Sequence, residues 1–354
     1  ANVSFQNVRV WGDVATTSSS DKNGVALFES WISYDFNTNW TAKFGRQVLS
    51  YDNQRIMGGI DWLQQGQSHD AVLVTNKKNN YQMDFGAALN NNNEALYESA
   101  YVTNYKNMQF IWFNQKFSKL SLSFLALNNG YQYENLTENK FQVAYLQTLG
   151  TYGKWDTSKF YGDLGLYAQT GEAAVTNDKV DVDAYYAGFN LGYKFTNSFK
   201  AELGFEYLSG KDQNDTDTKV KSFTPLFGTN HGFNGVMDYF YVGNHKNSVG
   251  LQDFYTKFIY DKNKWQVTLA PHVFYSAASV YNMATLEEQD SYLGTEIDLT
   301  ATYKMDKNFV ITGGVSKMFA SETMEILKGG NINNCNNWAW VMVSFNPQLF
   351  TYKK

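Results

Sequence analysis

WTAKFGRQVLSYDNQRIMGGIDWLQQGQSHDAVLV, residues 40–74, opens as an alternating strand directly after the turn Asn37-Thr38-Asn39. It passes through Gly45-Arg46-Gln47 and crosses a polar loop holding Arg55, Asp61 and Trp62. It re-enters a strand at Asp70-Ala71-Val72-Leu73-Val74. Alternation puts successive side chains on opposite faces, so each strand has one apolar face. A tryptophan stands at the turn, and two of the chain's three arginines follow it. The stretch reads as one hairpin of a membrane-spanning β-barrel that carries pore-lining polar groups.

The same unit recurs along the chain. Val25–Phe36 sets Ala26, Phe28, Ile32, Tyr34 and Phe36 against Glu29, Ser33 and Asp35. Tyr81–Asn90, Ala184–Phe195, Phe199–Tyr207, Gln252–Tyr260, Trp265–Tyr275, Ser291–Tyr303, Phe309–Phe319 and Trp338–Phe345 alternate likewise, and a first strand is expected over about Asn2–Val14. Aromatics bracket the short turns: Phe36/Trp40, Phe195/Phe199, Tyr260/Trp265 and Tyr303/Phe309. A soluble sheet needs only turn-compatible residues there. In a barrel such rings form the girdle at one membrane interface, which marks the short turns as the periplasmic rim. The other connections are long and polar, as outer loops are: 50–68, 90–107, 210–248, 276–289 and 321–337. The fold class expected is all-β, a transmembrane antiparallel up-and-down β-barrel of about sixteen strands forming one domain over 1–354.

Composition agrees. Aromatic residues make up 17% of the 354, proline occurs three times, and we find no apolar run of the 18 residues a membrane helix needs. The net charge of −5 argues against nucleic acid as a partner. Cys335 is the only cysteine, with no metal-ligand spacing around it. The opening Ala1-Asn-Val-Ser-Phe has no secretory leader pattern, so the barrel reading expects a processed chain. No cofactor and no metal are expected.

Two blocks carry a family resemblance. The pattern GRQxLSYxxQRxxGxxDW over Gly45–Trp62, followed by His69-Asp70-Ala71-Val72, resembles the alginate export family of Gram-negative outer-membrane barrels. Phe223–Asp238 resembles the same family's later FxxLFxTNHxxxGxxD segment, with Phe223, Phe227, His231 and Asp238 in place. The resemblance implies eighteen strands rather than sixteen. It also implies a charged constriction, with a pore-lining role for Arg46, Gln47, Arg55 and Asp61.

Arg46 poses a specific problem. Strict alternation from Trp40 places it with Phe44 on the lipid side, roughly 15 Å above the rim. A lipid-facing arginine near the midplane costs about 2–4 kcal/mol. A bulge at Gly45 would turn it inward, to meet Arg55, Asp61 and Asp70 in a lumen network. The competing reading leaves Arg46 near the rim, snorkelling. Lys200, Glu202, Glu206, Glu296, Asp298 and Lys304 also fall on lumen positions, an interior of mixed sign. A polyuronate tunnel would be strongly cationic, so a neutral or modest-sized solute fits at least as well.

The loop 210–248 begins Lys211-Asp-Gln-Asn-Asp-Thr-Asp217, which fails the EF-hand pattern. Its segment Phe223–Asp238 is too apolar for a free loop and is expected to fold into the barrel mouth, or to pack over the rim. None of His69, His231, His245 and His272 lies in a hydrolase motif, so no enzyme is read here. The function expected is porin-like passage of a hydrophilic solute, including oligo- or polysaccharide. The alternative is a barrel plugged by its own loops and docked to a lipoprotein or other envelope protein. Partners are therefore outer-membrane lipid, a small solute or saccharide, and in the alternative an envelope protein.

Overall fold

The computed structural model describes residues 1–13, 16–17, 24–60, 62, 64–94, 100–241, 245 and 247–350. Its strands are β1 (Asn2–Gln6), β2 (Ala26–Asp35), β3 (Trp40–Gln47), β4 (His69–Lys78), β5 (Tyr81–Leu89), β6 (Tyr105–Phe117), β7 (Leu120–Asn135), β8 (Lys140–Asp156) and β9 (Phe160–Val175). There follow β10 (Asp178–Lys194), β11 (Phe199–Leu208), β12 (Leu251–Lys262), β13 (Trp265–Tyr275), β14 (Tyr281–Asn282), β15 (Glu287–Glu288), β16 (Tyr292–Lys304), β17 (Phe309–Ala320) and β18 (Asn336–Phe345). Sixteen of them form one antiparallel sheet in chain order, while β14 and β15 pair with each other. Sixteen agrees with the count from periodicity; the eighteen implied by resemblance are not found among the described residues. Among the described residues one short α-helix, α1 (Glu322–Lys328), sits between β17 and β18 with Ser321 as its N-cap. Among the described residues no helix is long and apolar enough to cross a membrane, which says nothing about strands.

Two-residue alternation sorts each strand into an apolar face and a polar one. Phe44, Phe85, Ile111, Phe124, Leu203, Phe258, Leu299 and Val315 lie exposed on the first. Asp84, Ser123, Glu206, Asp298 and Ser316, at the alternate positions of these strands, lie buried on the second. At the short-turn end, rings on adjacent strands meet: Phe195–Phe199 at 5.5 Å, Trp265–Tyr303 at 4.7 Å and Phe160–Tyr193 at 5.0 Å between centroids. This is the band that turn-flanking aromatics predict.

The first strand is shorter than expected, ending at Gln6 rather than Val14. A bulge does occur near Arg46, but one strand over. Ser4 faces Glu29 and Phe5 faces Leu27, so Phe28 is the extra residue in β2. Phe28 thereby leaves the face shared by Ile32 and Tyr34, and its ring lies against Gly66 of the following loop.

Pairing of β3 with β2 and β4 runs without a slip from Thr41 to Arg46. The inward turn expected for Arg46 is therefore absent. Arg46 stays on the face of Phe44, directly opposite Asp70, which shares a face with Val72. Its Nη1 lies 2.9 Å from Asp70 Oδ2, and its Nε donates to the Leu27 carbonyl at 3.2 Å. The physical reason is its place in the strand. Arg46 is the penultimate residue of β3, at the loop end, where a guanidinium reaches a counter-charge and water.

The strands β7–β10 have 16 or 17 residues each, against 8 to 13 in β2–β6 and β11–β18 of the sheet. A tilted strand crosses a bilayer with about 9–11 residues. The surplus lies away from the short turns, where β7–β8 and β9–β10 are joined by connections shorter than the other outer ones. β11 pairs with β10 only as far as Tyr186. Above that point Val220 adds to the edge of β10 in parallel, with backbone bonds to Asp181 and Asp183 of 2.9 Å each.

Compactness divides the chain into two units. One comprises 1–153, 165–185 and 216–233; the other comprises 154–164, 186–215 and 234–354. Gly45 illustrates how tightly the backbone of the first is drawn. It has φ +121°, and a Cβ there would collide with the Ser30 carbonyl. Gly45→Ala is expected to cost about 1–3 kcal/mol. Denaturant unfolding of the protein folded into lipid vesicles measures this, and an unchanged midpoint would show that β2 can retreat.

Candidate functional site: loops docked on the polar face

The loop after β3 does not leave the sheet; it turns onto the polar face. Tyr51 lays its ring beside Phe110 and Trp112 and donates its hydroxyl to Asp84 Oδ2 at 3.0 Å. Gln82 Nε2 holds the same carboxylate. Asp52, with φ 55°, accepts from Trp112 Nε1 and from the Ser123 hydroxyl. Burial pushes the Asp52 carboxyl upward, and these two donors pull the other way. Tyr51 is a fixed position of the first signature block but had no role assigned to it, and nothing marked Asp52. The available signal was a polar Asp84 and Ser123 on strands whose polar face had no obvious partner.

Beyond this anchor the two signature blocks meet. Met57 and Phe227 form a parallel bridge, with Gly58 N donating to Phe227 O at 2.8 Å and Phe227 N to Ile56 O at 2.9 Å. Thr229 N donates to Gln54 O at 2.9 Å, and the Thr229 hydroxyl to Gln54 Oε1 at 2.7 Å. Arg55 is 2% exposed; its Nη1 donates to Asn230 Oδ1 at 3.3 Å, and its guanidinium lies 4.5 Å from the Phe233 ring centre. Trp62 stacks on His231 with 3.4 Å between centroids. Asp61, expected in the same constriction, lies outside the described residues.

This joined pair of loops is seated on the strands. The Phe227 ring meets His69 and Tyr105 edge-on at 5.4 and 5.3 Å, and His69 Nδ1 is 2.8 Å from the Tyr105 hydroxyl. Gln169 bonds both backbone groups of Thr224, at 2.8 and 3.0 Å. Gln47 is fully buried and bonds the Ala71 carbonyl at 2.9 Å. Phe223, Phe227 and His231 are buried as well.

In the second unit the same loop continues onto carboxylates. Asn234 Nδ2 donates to Glu206 Oε2 at 2.9 Å and to Asp253 Oδ2 at 3.2 Å. Tyr186 donates to Glu206 Oε1 at 2.6 Å, and His272 Nδ1 lies 2.9 Å from Asp253 Oδ1. Met237 N and Val236 N donate to Glu296 and Asp298 at 2.8 and 3.3 Å. Asp238 takes φ 59° just beyond and accepts from Tyr241 N.

Lysines occupy the polar face nearer the short turns. Lys200 and Lys194 both lie over the Tyr161 ring, at 5.2 and 5.3 Å, and Tyr161 donates to Glu202 at 2.8 Å. Lys257 lies over Tyr255 at 5.0 Å and, in the first unit, Lys43 over Trp31 at 4.3 Å. Lys43, Lys200 and Lys257 form no ion pair with a described residue. The second unit thus carries lysines on aromatic rings toward the short turns, and carboxylates covered by loop toward the other end.

A family model for alginate export matches residues 1–336. No curated protein matches the sequence. Among solved structures, OccAB1 of Acinetobacter baumannii superposes with a TM-score of 0.58 at 11% identity, covering 86% of this chain and 74% of its own. OccK10 (OpdN) of Pseudomonas aeruginosa gives 0.57 at 11% identity, covering 93% and 86%. OccK2 (OpdF) of the same organism gives 0.55 at 12%, covering 91% and 80%. At such identities the likeness speaks for the fold alone. With the family match over almost the whole length, two-faced strands and rings gathered at the short turns, the chain belongs to the alginate export family and is a porin-like, up-and-down β-barrel of the Gram-negative outer membrane.

Proposed function

We propose that the protein is a single barrel domain that passes hydrophilic solutes, oligosaccharides among them, through a lumen narrowed by its own loops. The observation that carries this reading is the joining of the two signature blocks on the polar face, from Gln54–Gly58 to Phe227–Thr229. Such a cross-link holds a loop inside a mouth instead of letting it sweep through solvent. Aromatic faces with ammonium groups above them, at Tyr161, Tyr255 and Trp31, give a sugar both a stacking surface and hydrogen-bond donors. In this reading Gln47 and Arg55 act at the narrow point and Lys200 and Glu202 line the periplasmic approach. Arg46 and Asp70 serve at the outer rim instead.

Single-channel conductance in a planar bilayer tests the proposal. The expected result is a stable open conductance that neutral and uronic oligosaccharides interrupt in a concentration-dependent way. Arg55→Ala removes a buried guanidinium from its partners and is expected to raise conductance severalfold by loosening the loop. Silence from protein shown to be folded and inserted would overturn free diffusion and favour a closed barrel acting through an envelope partner.

The loop's return to β12 carries its own pH dependence. His245 Nε2 donates to the Gly250 carbonyl at 2.9 Å, and its ring packs edge-on against Phe240. Burial, with the Lys328 ammonium adding to it, pushes this imidazole down from 6.5 to about 4. The neutral form is the one the fold favours. Its contribution is complete above pH 6.5 and is lost as pH falls toward about 4. Melting temperature against pH should fall more steeply across that window for the wild type than for His245→Gln; parallel curves would refute the assignment.

A further inference from the structure

Four carboxylates are buried on the polar face of β11, β12 and β16: Glu206, Asp253, Glu296 and Asp298, each at most 4% exposed. Their donors are unevenly shared. Glu206 and Asp253 both receive Asn234, and each has a second partner in Tyr186 or His272. Glu296 and Asp298 have one backbone N–H apiece, from Met237 and Val236. The Glu296 and Asp298 carboxyls lie within hydrogen-bonding reach of each other; apart from that contact, Glu296 Oε2, Asp298 Oδ1 and the Ser316 hydroxyl have no hydrogen-bond partner.

These three orphan oxygens belong to one place. Asp298 faces Ser316 directly across β16 and β17, and Glu296 precedes Asp298 by two residues on the same face. Directly opposed side chains stand about 5 Å apart at Cβ. Gly235, at φ +80°, brings loop backbone against the Glu296 carboxylate, where a Cβ would not fit. A buried carboxylate oxygen with no donor is far more costly than a hydrogen bond is worth, and two side by side repel each other. Something positive completes the set.

We propose that Glu296 Oε2, Asp298 Oδ1 and Ser316 Oγ bind a hard divalent cation, Ca²⁺ or Mg²⁺. All three ligands are oxygen, which suits these ions and not softer metals. Among the described residues no three His, Cys, Asp or Glu converge on a metal, so the site is a modest one, with Kd on the order of 0.1–1 mM. Its consequence is mechanical. The same two carboxylates hold Val236 and Met237, so the cation neutralises the seat on which this part of the loop rests. Removing it leaves two like charges beneath the loop.

The test uses the full chain folded in detergent, freed of cations by chelator, and titrated with CaCl₂ or MgCl₂ at neutral pH. Equilibrium dialysis and melting temperature are read together. Saturable uptake of one equivalent with a rise in melting temperature is expected. Asp298→Asn should weaken uptake by roughly tenfold or more, and Ser316→Ala, which barely changes volume, by severalfold. No saturable uptake by folded protein, or uptake unaltered in both variants, overturns the proposal. Stabilisation by acid in chelator, with no response to either cation, also overturns it, because the missing positive charge is then a proton shared by the two carboxylates.

Discussion

Two loops far apart in sequence share a few backbone hydrogen bonds, and the arrangement of the polar face depends on them. The Met57–Phe227 bridge fixes Phe227, which then fills the space against His69 and Tyr105. It also sets Gln54 beside Thr229 and Arg55 beside Asn230. Burying a guanidinium is affordable only where its charge is spread over acceptors and a ring face. Arg55 is therefore a dependant of the bridge, held in place by it. This also explains why the two signature blocks occur together: most of what is distinctive in one is a partner for something in the other.

Much of the architecture was legible because lipid imposes a rule on every strand. Apolar residues at every second position, with rings at the short turns, repeat from Phe36/Trp40 to Tyr303/Phe309, and most of the strands named from that pattern fall where it puts them, although β6–β9 were not placed by it. What periodicity cannot carry is pairing between strands. Phe28 suits either face, so its bulge is invisible until Leu27 and Glu29 are seen opposite Phe5 and Ser4. Arg46 looked too costly facing outward because its counter-ion, Asp70, lies 24 residues on and becomes a neighbour only through register.

The loops were legible in a different way. Their family pattern pointed to Arg55, Phe227 and His231, but the groups that receive them came from elsewhere. Asp84, Ser123 and Gln169 look like ordinary polar-face residues in their own strands, and only tertiary contact reveals their use. Likewise the carboxylates of β11 and β16 appeared as charges facing water, whereas Asn234, Val236 and Met237 cover them. A lumen position on a strand is thus not yet a wall of the pore.

The overhang of β10 past β11 gives the loop one more task. A strand that outruns its neighbour presents unpaired N–H and C=O groups, a template on which any extended chain can assemble. Val220 occupies that border beside Val182, flanked by Lys219 and Lys221. Two lysines at an exposed border discourage a further strand from joining. The loop is therefore also a hem, sealing a raw sheet edge outside the membrane. Anyone shortening it to widen the channel would do well to leave residues 219–221 in place, since their removal trades a wider passage for a surface prone to stick to other copies of itself.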